Sequence, residues 1–180
     1  NTTSKDLSAE AWRFSKSNKF LGICIDKKYG GLGFSAKAHS AIVHKIASRH
    51  VGAAISIMVP NSLGPAELIS HYGTNEQKSY YLPRLAQGVD IPCFALTSPN
   101  AGSDAASISD KGTVCYKDIN GKKTLGILLN FEKRYISLAP IATLIGLAFK
   151  LYDPMQLLGD NEYIGITIAL VDANLPGVNN

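Results

Sequence analysis

The sequence predicts an α+β chain: a helical N-terminal segment followed by an antiparallel, β-barrel-like domain. Three observations carry that prediction. Apolar residues recur at helical spacing up to about residue 88, whereas from about residue 91 the chain turns to runs of Val, Ile, Leu, Thr and Tyr with partial two-residue alternation. Helices followed by strands, rather than alternating with them, point to an α+β fold or to two domains. Finally, Asn120-Gly121 stands between two strand-like runs, and both residues tolerate the positive φ of a tight hairpin turn.

Each element has its own signal. Ser8 is placed to cap a helix through Ser17. Ser35 is placed to cap another running towards His50, with Ala38, Ile42, Ile46 and Ala47 on one apolar face. Pro60 and Gly64-Pro65 punctuate the region between, and the apolar stretch 55–65 reads as core or as pocket lining. Asn75 before Glu76-Gln77 marks a helix start and Gly88 a helix stop. Residues 93–98, 113–119, 123–131, 135–138, 143–153 and 164–171 read as strands. Within 143–153 a helix is the competing reading; as a strand it would put Thr143, Ile145, Leu147, Phe149 and Leu151 on one face. Tyr29-Gly30-Gly31-Leu32-Gly33 is not Gly-x-Gly-x-x-Gly and has no parallel-sheet context, so it reads as a loop needing permissive backbone. There is no internal repeat.

Bulk properties narrow the classes. A chain of 180 residues holds one large domain or two small ones and can bury a core without staples. With 46% hydrophobic and 18% charged residues it is ordinary for a soluble globular protein. The net charge of +4 is spread thinly, the only adjacent basic pairs being Lys27-Lys28, Lys122-Lys123 and Lys133-Arg134. These read as solvated surface or as local help in holding a polyanion, and nucleic-acid binding is disfavoured. No apolar run approaches the roughly 20 residues of a membrane helix. Cys24, Cys93 and Cys115 make no Cys-x-x-Cys pair, and His39, His44, His50 and His71 supply no zinc spacing beside them. A reduced intracellular protein with buried thiols, no metal and no nucleophilic cysteine is expected. The polar start at Asn1, without an initiating Met or a signal-like apolar run, reads as a processing boundary.

The stretch Phe94-Ala95-Leu96-Thr97-Ser98-Pro99-Asn100-Ala101-Gly102-Ser103-Asp104 carries the most chemistry. A strand runs into a loop of small residues whose backbone N–H groups stay open, with hydroxyls at Thr97, Ser98 and Ser103. Such a loop can hold a phosphate or an electron-rich ring edge, although an ordinary surface turn has the same composition. The segment resembles the flavin-binding signature of the acyl-CoA dehydrogenase family, Thr-Glu-Pro-x-Ala-Gly-Ser-Asp, at Thr97, Pro99, Ala101, Gly102, Ser103 and Asp104. Tyr29-Gly30-Gly31 resembles the family's Tyr-Gly-Gly element. Gly73-Thr74-Asn75-Glu76-Gln77-Lys78 with Tyr81-Leu82-Pro83 resembles its Gly-Thr-x-Glu-Gln-Lys…Tyr-Leu-Pro element, and Lys133-Arg134-Tyr135-Ile136-Ser137 its Lys-x-Trp-Ile-Thr element. All four stand in the family's order, and the wording is most similar to the long bacterial fatty-acyl-CoA dehydrogenases. Ser98 departs from the usual Glu, leaving the local charge less negative, and Tyr135 from the usual Trp.

The resemblance implies a division into an incomplete helical domain over residues 1–89 and a middle β-domain over 90–180, with the C-terminal helical domain absent. It implies FAD as cofactor, contacted by Phe94, Ala95, Leu96, Thr97, Gly102, Ser103, Tyr135, Ile136 and Ser137, with Ser103 also meeting the acyl-CoA. The implied reaction removes an α-proton with a carboxylate base and passes the β-hydrogen to FAD as hydride, giving trans-2-enoyl-CoA in fatty-acid β-oxidation. Glu10, Glu67, Glu76, Glu132 and Glu162 match no such base, so the base is expected outside the chain and the fragment inactive alone. Implied partners are a fatty acyl-CoA, an electron-transfer flavoprotein and further copies of the full-length chain. The implied setting is the bacterial cytoplasm, with peripheral inner-membrane association as an option. An acyl-CoA oxidase, a flavin monooxygenase or a non-enzymatic acyl-CoA-binding module would share these motifs.

Overall fold

The computed structural model describes residues 6–62 and 64–179. The polar run as far as Lys5, Leu63 of the 55–65 stretch and the terminal Asn180 lie outside the described residues. The chain divides into two compact units, one comprising Asn1–Cys93, Ser137–Ile145 and Asp172–Asn180, the other Phe94–Ile136 and Gly146–Val171.

Among the described residues the first unit holds five α-helices: α1 (Ala9–Ser17), α2 (Ala36–Ala47), α3 (Val51–Met58), α4 (Pro65–Tyr72) and α5 (Asn75–Gln87). Their ends follow local chemistry. The Ala11 N–H donates to Ser8 Oγ at 3.2 Å, and the Ala38 N–H to Ser35 Oγ at 3.3 Å. The helix from Ser35 stops at Ala47, short of His50, because His50 starts the next one: its Nδ1 accepts the Ala53 N–H at 3.1 Å. At α5 the cap is Thr74, one residue before the expected Asn75. Thr74 Oγ1 accepts the Gln77 N–H at 3.2 Å, and Gln77 Oε1 accepts the Thr74 N–H at 2.9 Å, a reciprocal capping box. Gly88 closes α5 in the left-handed conformation.

The apolar face of α2 is half-buried at Ala38, Ile42, Ile46 and Ala47, with His39 the deepest residue of the helix. Leu21, Ile23, Ile25, Ile57, Ile69, Leu82 and Leu85 are buried, whereas Ile55 and Met58 stay exposed, so the 55–65 stretch contributes only one side to the core. Asn61 ties this region together, with Nδ2 donating to Phe20 O (2.7 Å) and Ile57 O (2.9 Å) and Oδ1 accepting the Cys24 N–H (3.1 Å). The glycine run packs backbone to backbone: the Leu32 N–H reaches Gly22 O at 2.9 Å and the Phe34 N–H reaches Ile23 O at 2.8 Å. A Cβ at Gly31 would stand 2.0 Å from Ile25 O, so that position admits no side chain. No helix among the described residues is long and apolar enough to cross a membrane.

Among the described residues the β part has five strands: β1 (Pro92–Ala95), β2 (Lys111–Ile119), β3 (Lys122–Asn130), β4 (Leu144–Tyr152) and β5 (Tyr163–Asp172). The sheet order is β1-β4-β2-β3, with β5 also pairing β4. β2 and β3 form an antiparallel hairpin about Asn120 (φ 54°) and Gly121 (φ 78°), with Ile119 opposite Lys122. β2 and β4 pair in parallel from Lys111 opposite Lys150 to Thr113 opposite Tyr152. The helical part followed by a β-domain is as expected, but the sheet is mixed and open, not purely antiparallel or closed into a barrel. The cause is that β4 returns antiparallel to the preceding β3 but on the other side of β2, which leaves it parallel to β2.

Two further expectations change. β4 is buried on both faces from Leu144 to Phe149, so its apolar residues do not sort onto one side. Residues 135–138 form no strand: Tyr135 (φ 58°) and Leu138 (φ 68°) are left-handed, and a 3-10 turn follows at Ala139–Ile141.

Within the second unit, β2 meets the fully buried Phe149 ring at a glycine. A Cβ added to Gly112 would lie 2.3 Å from Phe149 Cε2 and 2.9 Å from Ile127 Cγ2. Gly112→Ala is therefore expected to destabilise the chain by about 1–3 kcal/mol, the ordinary cost of overpacking. Urea unfolding checks this, and an unchanged midpoint would contradict the packing described.

Candidate functional site

Two segments singled out by the sequence, 94–104 and, of 133–137, the part as far as Ile136, are brought together around one ammonium group in the second unit. Lys133 Nζ donates to Leu96 O (2.9 Å), Ser98 Oγ (3.1 Å) and Asp110 Oδ2 (2.7 Å). Those three acceptors use its three N–H groups. The ion pair is deeply placed, with the Lys133 side chain 5% exposed and that of Asp110 1%.

Asp110 is the hub. Besides Lys133, its Oδ2 accepts the Ser98 hydroxyl, its Oδ1 accepts the Glu132 N–H at 2.9 Å, and its carbonyl accepts the Lys150 N–H of β4 at 2.9 Å. Next to it the Arg134 N–H donates to Thr97 O at 3.0 Å, and Ser98 and Ala101 exchange two backbone bonds across Pro99-Asn100. Ala101, Ile108 and Ala148 bury together against Leu96 beneath this loop. Burial pushes the Asp110 carboxyl up, but the hydrogen bonds from Lys133, Ser98 and Glu132 and the Lys133 charge outweigh it and leave the group below the ordinary carboxylate value.

Asp110 is the residue that sequence reasoning missed. Ser98, lacking the acid of the family pattern, was the available signal that a carboxylate had to come from elsewhere. Asp110, twelve positions along the chain, brings a carboxylate beside the Ser98 hydroxyl. The reading of Lys133-Arg134 as a solvated pair is corrected for Lys133. Arg134 does stay exposed, facing Glu132 at 3.3 Å.

The expected cofactor-facing residues differ in what they present. Phe94, Leu96 and Thr97 are half-buried, while Ala95 is buried, leaving little side-chain surface. Gly102 and Ser103 are exposed, and a Cβ at Gly102 would meet nothing within 4 Å. Tyr135 is 92% exposed on its left-handed backbone, and Ile136 is half-buried. Ser137 is exposed and belongs to the first unit, the rest of the set to the second. Open backbone at Gly102, a free hydroxyl at Ser103 and an uncovered flat ring at Tyr135 fit a ligand with both an anionic and a planar aromatic part.

Other candidates have structural roles. Glu67 pairs with His71 on the surface of α4 at 3.0 Å, and Glu76 lies in the first turn of α5. The three cysteines are free. Only Cys93 is buried, where desolvation pushes its thiol up to about 11, while Cys24 and Cys115 are half-buried. Among the described residues no three His, Cys, Asp or Glu side chains are grouped to hold a metal ion.

The depressed Asp110 carboxyl makes a pH dependence with a definite sign. The unfolded group binds protons more readily than the folded one, so its contribution is complete above the unfolded value of 3.8 and is lost as the pH falls below it. Thermal unfolding should therefore show a drop in Tm below that value that Asp110→Asn reduces. Equal acid sensitivity in the two proteins would remove Asp110 from the account.

Comparison with known proteins bears on this site. The acyl-CoA dehydrogenase N-terminal domain family matches residues 2–89, and the acyl-CoA dehydrogenase middle domain family matches residues 93–180. The chain is 33% identical over 157 residues to an acyl-CoA dehydrogenase of Bacillus subtilis, covering 87% of this chain and 38% of that protein. It is 35% identical over 167 residues to a 3-(aryl)acrylate reductase of Clostridium sporogenes, covering 90% and 39%. Among solved structures, an acyl-CoA dehydrogenase from Geobacillus kaustophilus superposes with a TM-score of 0.72 at 28% identity, over 97% of this chain and 42% of that one. A glutaryl-CoA dehydrogenase from Mycobacterium smegmatis, solved with FADH2, does so with a TM-score of 0.73 at 26% identity, over 95% and 39%. The chain thus spans about two-fifths of the length of these relatives, and it belongs to the acyl-CoA dehydrogenase family, whose N-terminal and middle domains it carries.

Proposed function

We propose that this chain is the FAD- and acyl-CoA-facing part of a dehydrogenase that oxidises a fatty acyl-CoA to the trans-2-enoyl-CoA. The observation that carries the reading is the joining of the two motif segments: the Arg134 N–H holds Thr97 O at 3.0 Å while Lys133 holds Leu96 O and Ser98 Oγ. FAD, when bound, supplies the hydride acceptor. Phe94 to Thr97 offer it backbone and hydroxyl groups, and Tyr135 and Ile136 a flat and an apolar surface. Gly102 and Ser103 offer donors to phosphate, Ser103 also to the acyl-CoA. Groups fixed in this way reorganise little as charge develops, which is where preorganised donors contribute most.

On this reading none of the chain's glutamates serves as the proton-abstracting base, Glu10 and Glu162 being exposed. Glu67 and Glu132 face basic side chains, and Glu76 sits at a helix start. An electron-transfer flavoprotein as acceptor, a homo-oligomeric assembly and a bacterial cytoplasmic setting complete the reading. The likeness to the Clostridium reductase favours one second reading, hydride flow in the opposite direction onto an activated double bond.

Titration of the 180-residue chain with FAD, followed by flavin fluorescence, is expected to give saturable one-to-one binding. Tyr135→Ala should weaken it about 3- to 10-fold, the range of one aromatic contact. Absence of saturation would overturn the binding reading. With bound FAD, an acyl-CoA and an electron-accepting dye, the chain is expected to give no sustained turnover. Sustained turnover would place the base among its own residues, and enoyl-CoA reduction exceeding acyl-CoA oxidation in the full-length enzyme would favour the second reading.

A further inference from the structure

We propose that Lys133 is a positioning residue, a buried lock that sets the backbone of the cofactor-facing loop, and that Ser98 and Asp110 share one acidic site serving it. This rests on the FAD-facing reading of that loop. Lys133 is not itself among the expected cofactor contacts, but its ammonium holds the backbone of one of them, Leu96. It acts through Leu96 O, one residue before Thr97, and through the chain leading into Arg134, whose N–H closes on Thr97 O. The segment that follows has an unfavourable conformation, with Tyr135 left-handed and almost wholly exposed. Its own side chain packs on nothing that would hold that backbone, so the anchors just upstream must do so.

The acidic site can be divided between two positions because Ser98 Oγ and Asp110 Oδ2 both lie within hydrogen-bond distance of Lys133 Nζ and of each other. A carboxylate grown from the Ser98 Cβ would meet the same ammonium. The family pattern, with an acid at position 98, and this chain, with one at position 110, therefore satisfy the same lysine by different routes.

Amide hydrogen exchange of the 180-residue chain tests this, with the Arg134 amide read against the amides of the β2–β3 hairpin, which report opening of the unit as a whole. Asp110→Asn is expected to speed Arg134 exchange at least tenfold relative to the hairpin. The reciprocal exchange Ser98→Asp with Asp110→Ser is expected to restore it to within threefold of the parent. Where Asp110→Asn alone fails to fold, the neutral pair Asp110→Asn with Lys133→Met, which leaves no lone buried charge, takes its place and should also lose Arg134 protection.

Parent-like Arg134 protection in the folded neutral pair would overturn the lock and reduce Lys133 to a charge that merely needs a partner. A folded reciprocal variant that stays unprotected would overturn the shared acidic site. FAD affinity is read in parallel and should fall at least tenfold with the lock and return with the reciprocal exchange. A parent chain that binds no FAD would defeat the function proposed above, yet the exchange result would still decide the lock.

Discussion

The buried contact between Lys133 and Asp110 is the constraint on which the loop at Leu96–Ser98 and the segment leading into Arg134 depend. Burying two charges is costly and is tolerated only when the geometry is close and the remaining hydrogen-bonding capacity is used. Both conditions hold. The ammonium has three acceptors, and the carboxylate takes two side-chain donors and one backbone N–H. Removing one partner of such a pair costs about 3–5 kcal/mol, whereas an exposed pair such as Glu67–His71 contributes about 1 kcal/mol or less. Of the ion pairs in the second unit, this one can dictate backbone. Through the carbonyl of Asp110 the same residue is bonded to β4, the most buried strand of the sheet.

Elements whose boundaries are written in adjacent residues were legible in the sequence. Ser8 and Ser35 cap where a hydroxyl can reach an N–H three residues on, Gly88 stops α5, and Asn120-Gly121 turns the hairpin. Elements that depend on distant partners were not. The alternating pattern of β4 suggested one apolar face, but neighbours on both sides bury it through Phe149. Tyr135-Ile136-Ser137-Leu138 has strand composition and no strand, because composition cannot report two left-handed residues imposed by what lies before and after. The direction of β4 against β2 is likewise set by a connection whose path no local signal describes.

The candidate site divides along the same line. Its loop and the Tyr135 segment were visible as motifs because their chemistry is local: small residues, hydroxyls, an aromatic ring. The residue organising them was invisible for a physical reason. Asp110 is separated from Ser98 by a 3-10 turn at Ala105–Ser107 and by the buried Ile108, and only the folded chain returns it to the start of the loop. A departure from the family pattern at position 98 looked like a loss of charge, when the charge had been supplied from another part of the chain.

That relocation bears on what the loop can tolerate. The left-handed backbone at Tyr135 costs about 1–2 kcal/mol, and the ring, facing water, returns almost nothing by packing. A segment in that position would relax unless its upstream end were fixed more firmly than the strain is large. Freeing either partner of the buried pair would leave a lone buried charge, a cost of about 3–5 kcal/mol that exceeds the strain, and the Arg134 N–H joins this anchored stretch to Thr97. The strain is therefore held by groups that keep away from the exposed surface, leaving the Tyr135 ring and the Ser103 hydroxyl uncovered. A loop held instead by its own exposed side chains would have to give up those contacts before it could bind anything.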